Sequence, residues 1–218
     1  MQIGEAHGLL SGAHPDFPRF YGPATGLAWG VGLIVRGVAF PFYDKDVSEF
    51  AVAIGRAYIV SHECDIDQTN NRPFNDTVLL CPIIPLEVVL ERYLAGRNPE
   101  QARSFISALG NRRVDRAAYI PTIADELPNG GVLYLNSMTH TNVAELARDG
   151  VGRCCAVSAF GLRYVDAALS NAILKRPKAQ PLPLAGDLAR WSIDAGPTVA
   201  AALAELGRAL RRAARRKS

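Results

Sequence analysis

Residues 61–67 contain the side chains best suited to chemistry in this chain. They comprise a hydroxyl, an imidazole, a thiol and three carboxylates, in the order Ser61, His62, Glu63, Cys64, Asp65 and Asp67. A thiol near an imidazole is a candidate nucleophile, because a basic nitrogen favours the reactive thiolate. His62 and Cys64 are two residues apart, so on a strand they would share a face. We therefore identify Cys64, His62 and Asp65 as candidate catalytic residues.

Two other interpretations of this segment remain open. Glu63 and Asp65 flank the thiol and disfavour its thiolate by like-charge repulsion, so Cys64 is also interpreted as a buried structural thiol with Asp65 capping the loop. The residue types match zinc ligands as well, and Cys81 would add a second thiol across the sheet. Because repeated ligand spacing is missing, we assign no metal ligands and no cofactor.

Acidic and histidine side chains near this segment allow further alternatives. The carboxylates of Glu63, Asp65 and Asp67 are typical either of a divalent-ion site or of a solvated turn. His140 follows a predicted strand, where it would line the same cleft or lie in an exposed loop. We favour the solvated turn and the exposed loop.

Strands predicted on both sides of the segment would hold it in place. Ala57 to Ile84 forms the central hairpin, with Ser61 ending one strand and Cys81-Pro82 ending the next. Alternating or β-branched apolar runs predict strands at residues 30–42, 50–61, 77–84, 117–123, 131–138 and 154–158. The first strand is expected to bend at Gly37.

In other parts of the chain, apolar residues recur every three or four positions, which is the spacing of a helix. Residues 86–110 are predicted to be a helical insertion, and residues 160–174 an amphipathic helix. The expected organisation is an irregular N-terminal wrap (1–29), a main domain (30–176), a proline-rich linker (177–184) and a helical basic tail (185–218). The fold class is therefore α+β, mostly β.

Composition limits the protein class. A chain of 218 residues that is 49% hydrophobic can bury a substantial core. Its four cysteines do not form a disulfide framework, which favours a reducing, cytoplasmic location. We expect no signal peptide and no membrane association, because no apolar run reaches the length of a membrane helix.

The net charge of +3 is concentrated in the tail. Such a tail is expected to bind RNA or DNA phosphates, or to dock its apolar face on the body, a second copy or a partner protein. Arg36 is a further candidate phosphate contact. The predicted nucleic-acid-binding residues are Arg36, Arg208, Arg211, Arg212, Arg215 and Arg216.

The order of these segments resembles the SH3-like barrel of PemK/MazF-type toxins over residues 30–176. The features that carry it are Arg36-Gly37 in a bent strand, the strand end at Ser61 and the return to Cys81-Pro82-Ile83. Residues 61–66 also resemble the S-x-x-C-D-I signature of bacterial proteins of unassigned function. The toxins end their third strand in Pro-Ile-Thr, whereas this chain has Pro82-Ile83-Ile84, so the resemblance implies the barrel more than the ribonuclease chemistry.

Three functional hypotheses follow. The first, implied by the resemblance and the tail, is a nucleic-acid-associated protein of toxin or defence type. The second is a cysteine-dependent or metal-binding enzyme centred on Cys64. The third is a non-catalytic interaction module in which residues 61–67 form a structural loop.

Overall fold

A computed structural model describes residues 1–23, 27–44, 49–67, 69 and 76–173. These residues lie within one compact unit, residues 1–175, which combines helices with an antiparallel sheet. The α+β class is therefore confirmed. The predicted linker and basic tail lie outside the described residues.

Seven strands form the sheet in the described part of the chain. Hydrogen bonds connect them in the order β4-β5-β3-β2-β1-β7, and β6 pairs with the first half of β3. Every pair is antiparallel. The strands are β1 (Leu33–Asp44), β2 (Glu49–Ile59), β3 (Thr77–Pro85), β4 (Ala117–Ile120), β5 (Gly131–Tyr134), β6 (Thr139–Asn142) and β7 (Gly152–Ala156).

Closure into an SH3-like barrel is not confirmed. Among the described strands, β4 and β7 end the hydrogen-bonded path and do not pair with each other. The predicted bend in β1 is confirmed as a bulge between Val35 and Val38. Gly37 has a φ of 68° there, and a Cβ at this position would lie 2.3 Å from the Gly150 carbonyl oxygen. Glycine therefore allows both the bulge and this close approach.

The described residues also form five α-helices. They are α1 (Ile3–Ser11), α2 (Glu63–Ile66), α3 (Leu86–Val88), α4 (Pro99–Gly110) and α5 (Ala159–Ile173), and a π-helical turn (Val89–Tyr93) extends α3. The predicted insertion and C-terminal helix are thus present. The expected irregular wrap instead includes α1, because Ala6 and Leu10 lie one helical turn apart and are fully buried.

The sheet has a hydrophobic core on each face. Ile34 and Tyr58 point into the larger core, which α1, α4 and α5 cover. Leu33 and Ile59 are each next to one of these residues in the strand, so their side chains point to the opposite face of the sheet. There they form a smaller core together with Ile66 of α2. Burial of Ile66 therefore fixes the candidate segment against the face of the sheet opposite the larger helices.

None of the helices in the described residues has the length and apolar character needed to cross a bilayer. The cytoplasmic location stays a prediction.

Substitution of alanine for two helical glycines should change the stability of the protein in opposite directions. At Gly161 a Cβ would lie 2.4 Å from the Phe20 carbonyl oxygen, whereas nothing lies within 4 Å of a Cβ at Gly8 in α1. We expect Gly161→Ala to lower the free energy of unfolding by about 1–3 kcal/mol. Gly8→Ala should raise it by about 0.5–1 kcal/mol. Urea denaturation measures both, and a stabilised Gly161→Ala variant would contradict the packing of α5 against residue 20.

Candidate functional site

The candidate segment leaves the sheet at Ser61. The Ser61 Oγ accepts a hydrogen bond from the Leu79 backbone N–H at 2.8 Å. His62 then takes an extended conformation as the N-cap of α2, and its Nδ1 accepts from the Cys64 N–H at 3.2 Å. The expectation that His62 and Cys64 share a strand face is therefore wrong, because α2 begins between them.

This capping contact decides which nitrogen of a neutral His62 carries the proton. A neutral imidazole has one protonated nitrogen, and an Nδ1 that accepts a hydrogen bond leaves the proton on Nε2. The lone pair of Nδ1 points towards the start of α2, beside Cys64. In this arrangement His62 cannot take a proton from the thiol, because Nδ1 already accepts the backbone N–H and Nε2 carries a proton.

Three potential metal-ligand atoms converge at the same place. One atom each from His62, Glu63 and Cys64 lies within 4.8 Å of the other two. Tetrahedral zinc with ordinary bonds to nitrogen, oxygen and sulfur needs ligand atoms about 3.3–3.7 Å apart. Side-chain rotations that bring the three ligand atoms to these separations would give a zinc geometry.

The proposed second thiol does not join this group. Cys81 lies in the helix-covered core, where its thiol contacts the Tyr134 carbonyl oxygen at 3.5 Å. Burial raises the pKa of Cys81 to about 12. Burial also raises the pKa of Cys154 to about 11 and that of Cys155 to about 12. These three thiols are therefore held protonated within the fold, whereas Cys64 is half-buried on α2.

The remaining predicted residues lie around the group without belonging to it. Asp65 is exposed on α2, and its backbone N–H donates to the His62 carbonyl oxygen at 3.0 Å. The capping side chain is thus His62, and not Asp65. His140 is exposed on β6 opposite Leu79 of β3. His140 is exposed as expected, but it lies on a strand and not in a loop, and the structure does not include it in the metal-ligand group.

An open cavity adjoins Glu63 and Cys64. It has a volume of about 540 Å³ and is lined by Ala28, Trp29, Glu63, Cys64, Ile66 and Asp67; we call it the Cys64 cavity. Residues 27–31 pack closely on α2, since a Cβ at Gly30 would lie 3.0 Å from the Glu63 Cβ. The cavity is large enough for a small organic molecule.

A second charged cluster involves the predicted phosphate contact Arg36. Arg36 Nη1 donates to Glu126 Oε1, and Arg56 Nε donates to Glu126 Oε2 at 3.1 Å. Hydrogen bonding from Arg36, helped by Arg56 and opposed by burial, holds the pKa of Glu126 below its ordinary value. Arg36 is therefore ion-paired within the fold. The five predicted arginines of the tail lie outside the described residues, and nucleic-acid binding stays a prediction.

Sequence reasoning missed two features of this site. Trp29 lies far from residues 61–67 in the chain, and nothing in its neighbourhood indicates that it lines a cavity with Cys64. Glu63 was considered as one of three loop acids, whereas the structure groups it with His62 and Cys64. A histidine followed by acidic residues at a strand end is an N-cap signal that would have predicted α2.

None of the protein-family models, curated proteins or solved structures compared with this chain matches it. The functional argument therefore depends on the geometry of the site.

Proposed function

We propose that the protein binds a zinc-type divalent metal ion through His62, Glu63 and Cys64, and that it acts as a metal-dependent enzyme on a small molecule. The observation that carries the proposal is the convergence of three ligand atoms within 4.8 Å at the edge of the Cys64 cavity. Nitrogen, oxygen and sulfur ligands of these types all bind zinc.

Charge supports a divalent ion at this position. A thiolate at Cys64 and a carboxylate at Glu63 would together neutralise the two positive charges of the metal. A neutral His62 would complete the set through Nδ1, and the metal would replace the Cys64 N–H as the partner of this nitrogen. Zinc is thus favoured over harder cations such as magnesium, which bind almost entirely through oxygen.

The number of ligands supports a catalytic rather than a structural site. Structural zinc sites are closed by four protein ligands, whereas catalytic ones use three and leave a position for water or substrate. Among the described residues, three potential protein ligands converge here, and two of them, Glu63 and Cys64, line an open cavity. A bound zinc ion would acidify a water molecule in the fourth position or polarise a substrate carbonyl.

The same contacts argue against a cysteine nucleophile activated by His62. The imidazole nitrogen that faces Cys64 accepts the backbone N–H, so it is not free to act as a base towards the thiol. The PemK/MazF-like barrel and the toxin or defence role stay predictions, as does an interaction with a second copy or a partner protein.

Zinc binding by wild type and a pair of histidine variants tests the proposal. We expect one zinc ion per chain, with an affinity about a hundredfold lower or more in His62→Ala, because loss of a ligand should exceed the roughly 10- to 100-fold effect of a supporting group. His140→Ala is the matched control, since His140 is exposed on β6 and should leave the affinity unchanged. Competition with a coloured chelator measures all three proteins. Equal affinities in wild type and His62→Ala would exclude the site.

A further inference from the structure

The residues that line the Cys64 cavity indicate which kind of molecule it could bind. Trp29, Ala28 and Ile66 provide an apolar side, and Trp29 provides a large flat surface. Cys64 lies on the same cavity, so a molecule bound to a metal at Cys64 would lie close to the indole. Aromatic rings gain free energy when they pack against an indole face or edge.

The indole is held in place before any ligand binds. The guanidinium carbon of Arg153, on β7, lies 4.4 Å from the centre of the Trp29 ring. Arg153 Nη1 also donates to the Leu27 carbonyl oxygen, two residues before Trp29 in the chain. The two contacts fix the side chain and the backbone of the same segment. An ordered wall reduces the entropy that ligand binding would otherwise cost.

Among the described residues, the charged side chains that line the cavity have one sign. They are the carboxylates of Glu63 and Asp67. Hydrogen bonds from Thr69, through its side chain and then its backbone, lower the pKa of Asp67 and keep it ionised at neutral pH. With Glu63 bound to the metal, Asp67 would give the cavity a negative charge. Such a cavity favours neutral or cationic ligands over anions.

We propose that the Cys64 cavity binds neutral or cationic small molecules that carry an aromatic ring next to a metal-ligating nitrogen. This inference depends on the proposed metal site, since the nitrogen would occupy the open coordination position. The ring would pack against Trp29. Asp67 would reject ligands that carry a carboxylate in place of the nitrogen.

Three probes and the cobalt-loaded protein test the inference. At about pH 8.5, imidazole and 4-phenylimidazole are both neutral nitrogen ligands and differ by one phenyl ring, whereas benzoate carries a ring on an anion. Titrations would follow the visible absorption of cobalt. We expect wild type to bind 4-phenylimidazole about three- to tenfold more tightly than imidazole, the range that one aromatic contact supplies. Benzoate should bind more weakly than either.

Variants of the cavity wall show whether the preference comes from Trp29. In Trp29→Ala the two imidazoles should bind equally, whereas Trp29→Phe should retain a preference because a ring remains. In Asp67→Asn the affinity for benzoate should rise. An unchanged circular dichroism spectrum and full loading with one cobalt per chain in these variants would show that the fold and the metal site are intact.

The outcomes separate the two proposals. If wild type takes up no cobalt, the proposed metal site is wrong and the ligand inference falls with it. If cobalt binds but imidazole and 4-phenylimidazole have equal affinities, the ligand inference alone is overturned. A phenyl preference that persists unchanged in Trp29→Ala would also overturn it, because the ring would then bind elsewhere.

Discussion

Cys64→Ser is expected to lower the affinity of the protein for zinc by about a hundredfold or more. A thiolate is a strong zinc ligand, whereas a serine hydroxyl stays protonated at neutral pH and binds zinc poorly. Loss of a group that merely supports a ligand already costs about 10- to 100-fold in metal affinity, so loss of the ligand itself should exceed that range. Chelator competition at fixed pH measures the change.

Cys154→Ser is the matched control for this prediction. Cys154 is also half-buried, but it lies on β7, away from the metal-ligand group. The zinc affinity of the Cys154→Ser variant should equal that of wild type. Zinc affinity of the wild type should also rise with pH, because a thiol must release its proton to bind the metal. Equal losses in both serine variants, or no loss in Cys64→Ser, would contradict the role of Cys64.

Glu126→Gln should have the second large effect, on stability. The Glu126 side chain is only 17% exposed and accepts hydrogen bonds from two arginines on neighbouring strands. Glutamine keeps the size but removes the charge that both guanidinium groups face. We expect the free energy of unfolding at pH 7 to fall by about 1–2 kcal/mol, the scale of a charged hydrogen bond near the surface. Chemical denaturation measures it.

The effect of Glu126→Gln should depend on pH in a defined direction. Because the folded pKa of Glu126 is lowered, its contribution is complete above the unfolded carboxyl pKa of about 4.3. This contribution to the free energy of unfolding is lost as the pH falls through the lowered folded pKa. The Glu126 carboxyl of wild type is then protonated, and it is as uncharged as the glutamine of the variant. The stability difference should therefore disappear in acid.

Asp125→Asn provides the control for Glu126. Asp125 is the preceding residue in the same turn and is exposed. Its substitution should change the unfolding free energy by less than about 0.5 kcal/mol. A difference between Glu126→Gln and wild type that stays constant down to strongly acidic pH would show that the ion pairs are not its cause.

The strands and the later helices could be predicted because their signals are local. The apolar runs around Tyr58 and Cys81 specify β2 and β3, and Pro99 with the Asn98 cap specifies the start of α4. Helix α1 was missed because Gly4 and Gly8 obscure the spacing of its buried residues. β6 was missed because four polar residues, Thr139–Asn142, give little apolar alternation.

The arrangement of the site could be predicted only in part. The sequence identified His62 and Cys64 as chemically able residues, but a strand assumption placed them on one face. The actual geometry depends on where α2 begins, which the His62 cap determines. The contact between Arg36 and Glu126 joins residues 90 positions apart. No local pattern encodes such a pairing, so the neutralisation of Arg36 could not be foreseen.

The optical spectrum of the cobalt-substituted protein tests the metal site most directly. A cobalt ion bound to Cys64 gives a thiolate-to-cobalt charge-transfer band in the near ultraviolet, and its visible bands report how many ligands surround it. The account predicts a charge-transfer band that saturates at one cobalt per chain in wild type and in Cys154→Ser, and that is absent in Cys64→Ser. No such band in wild type, or an unchanged band in Cys64→Ser, would contradict the account.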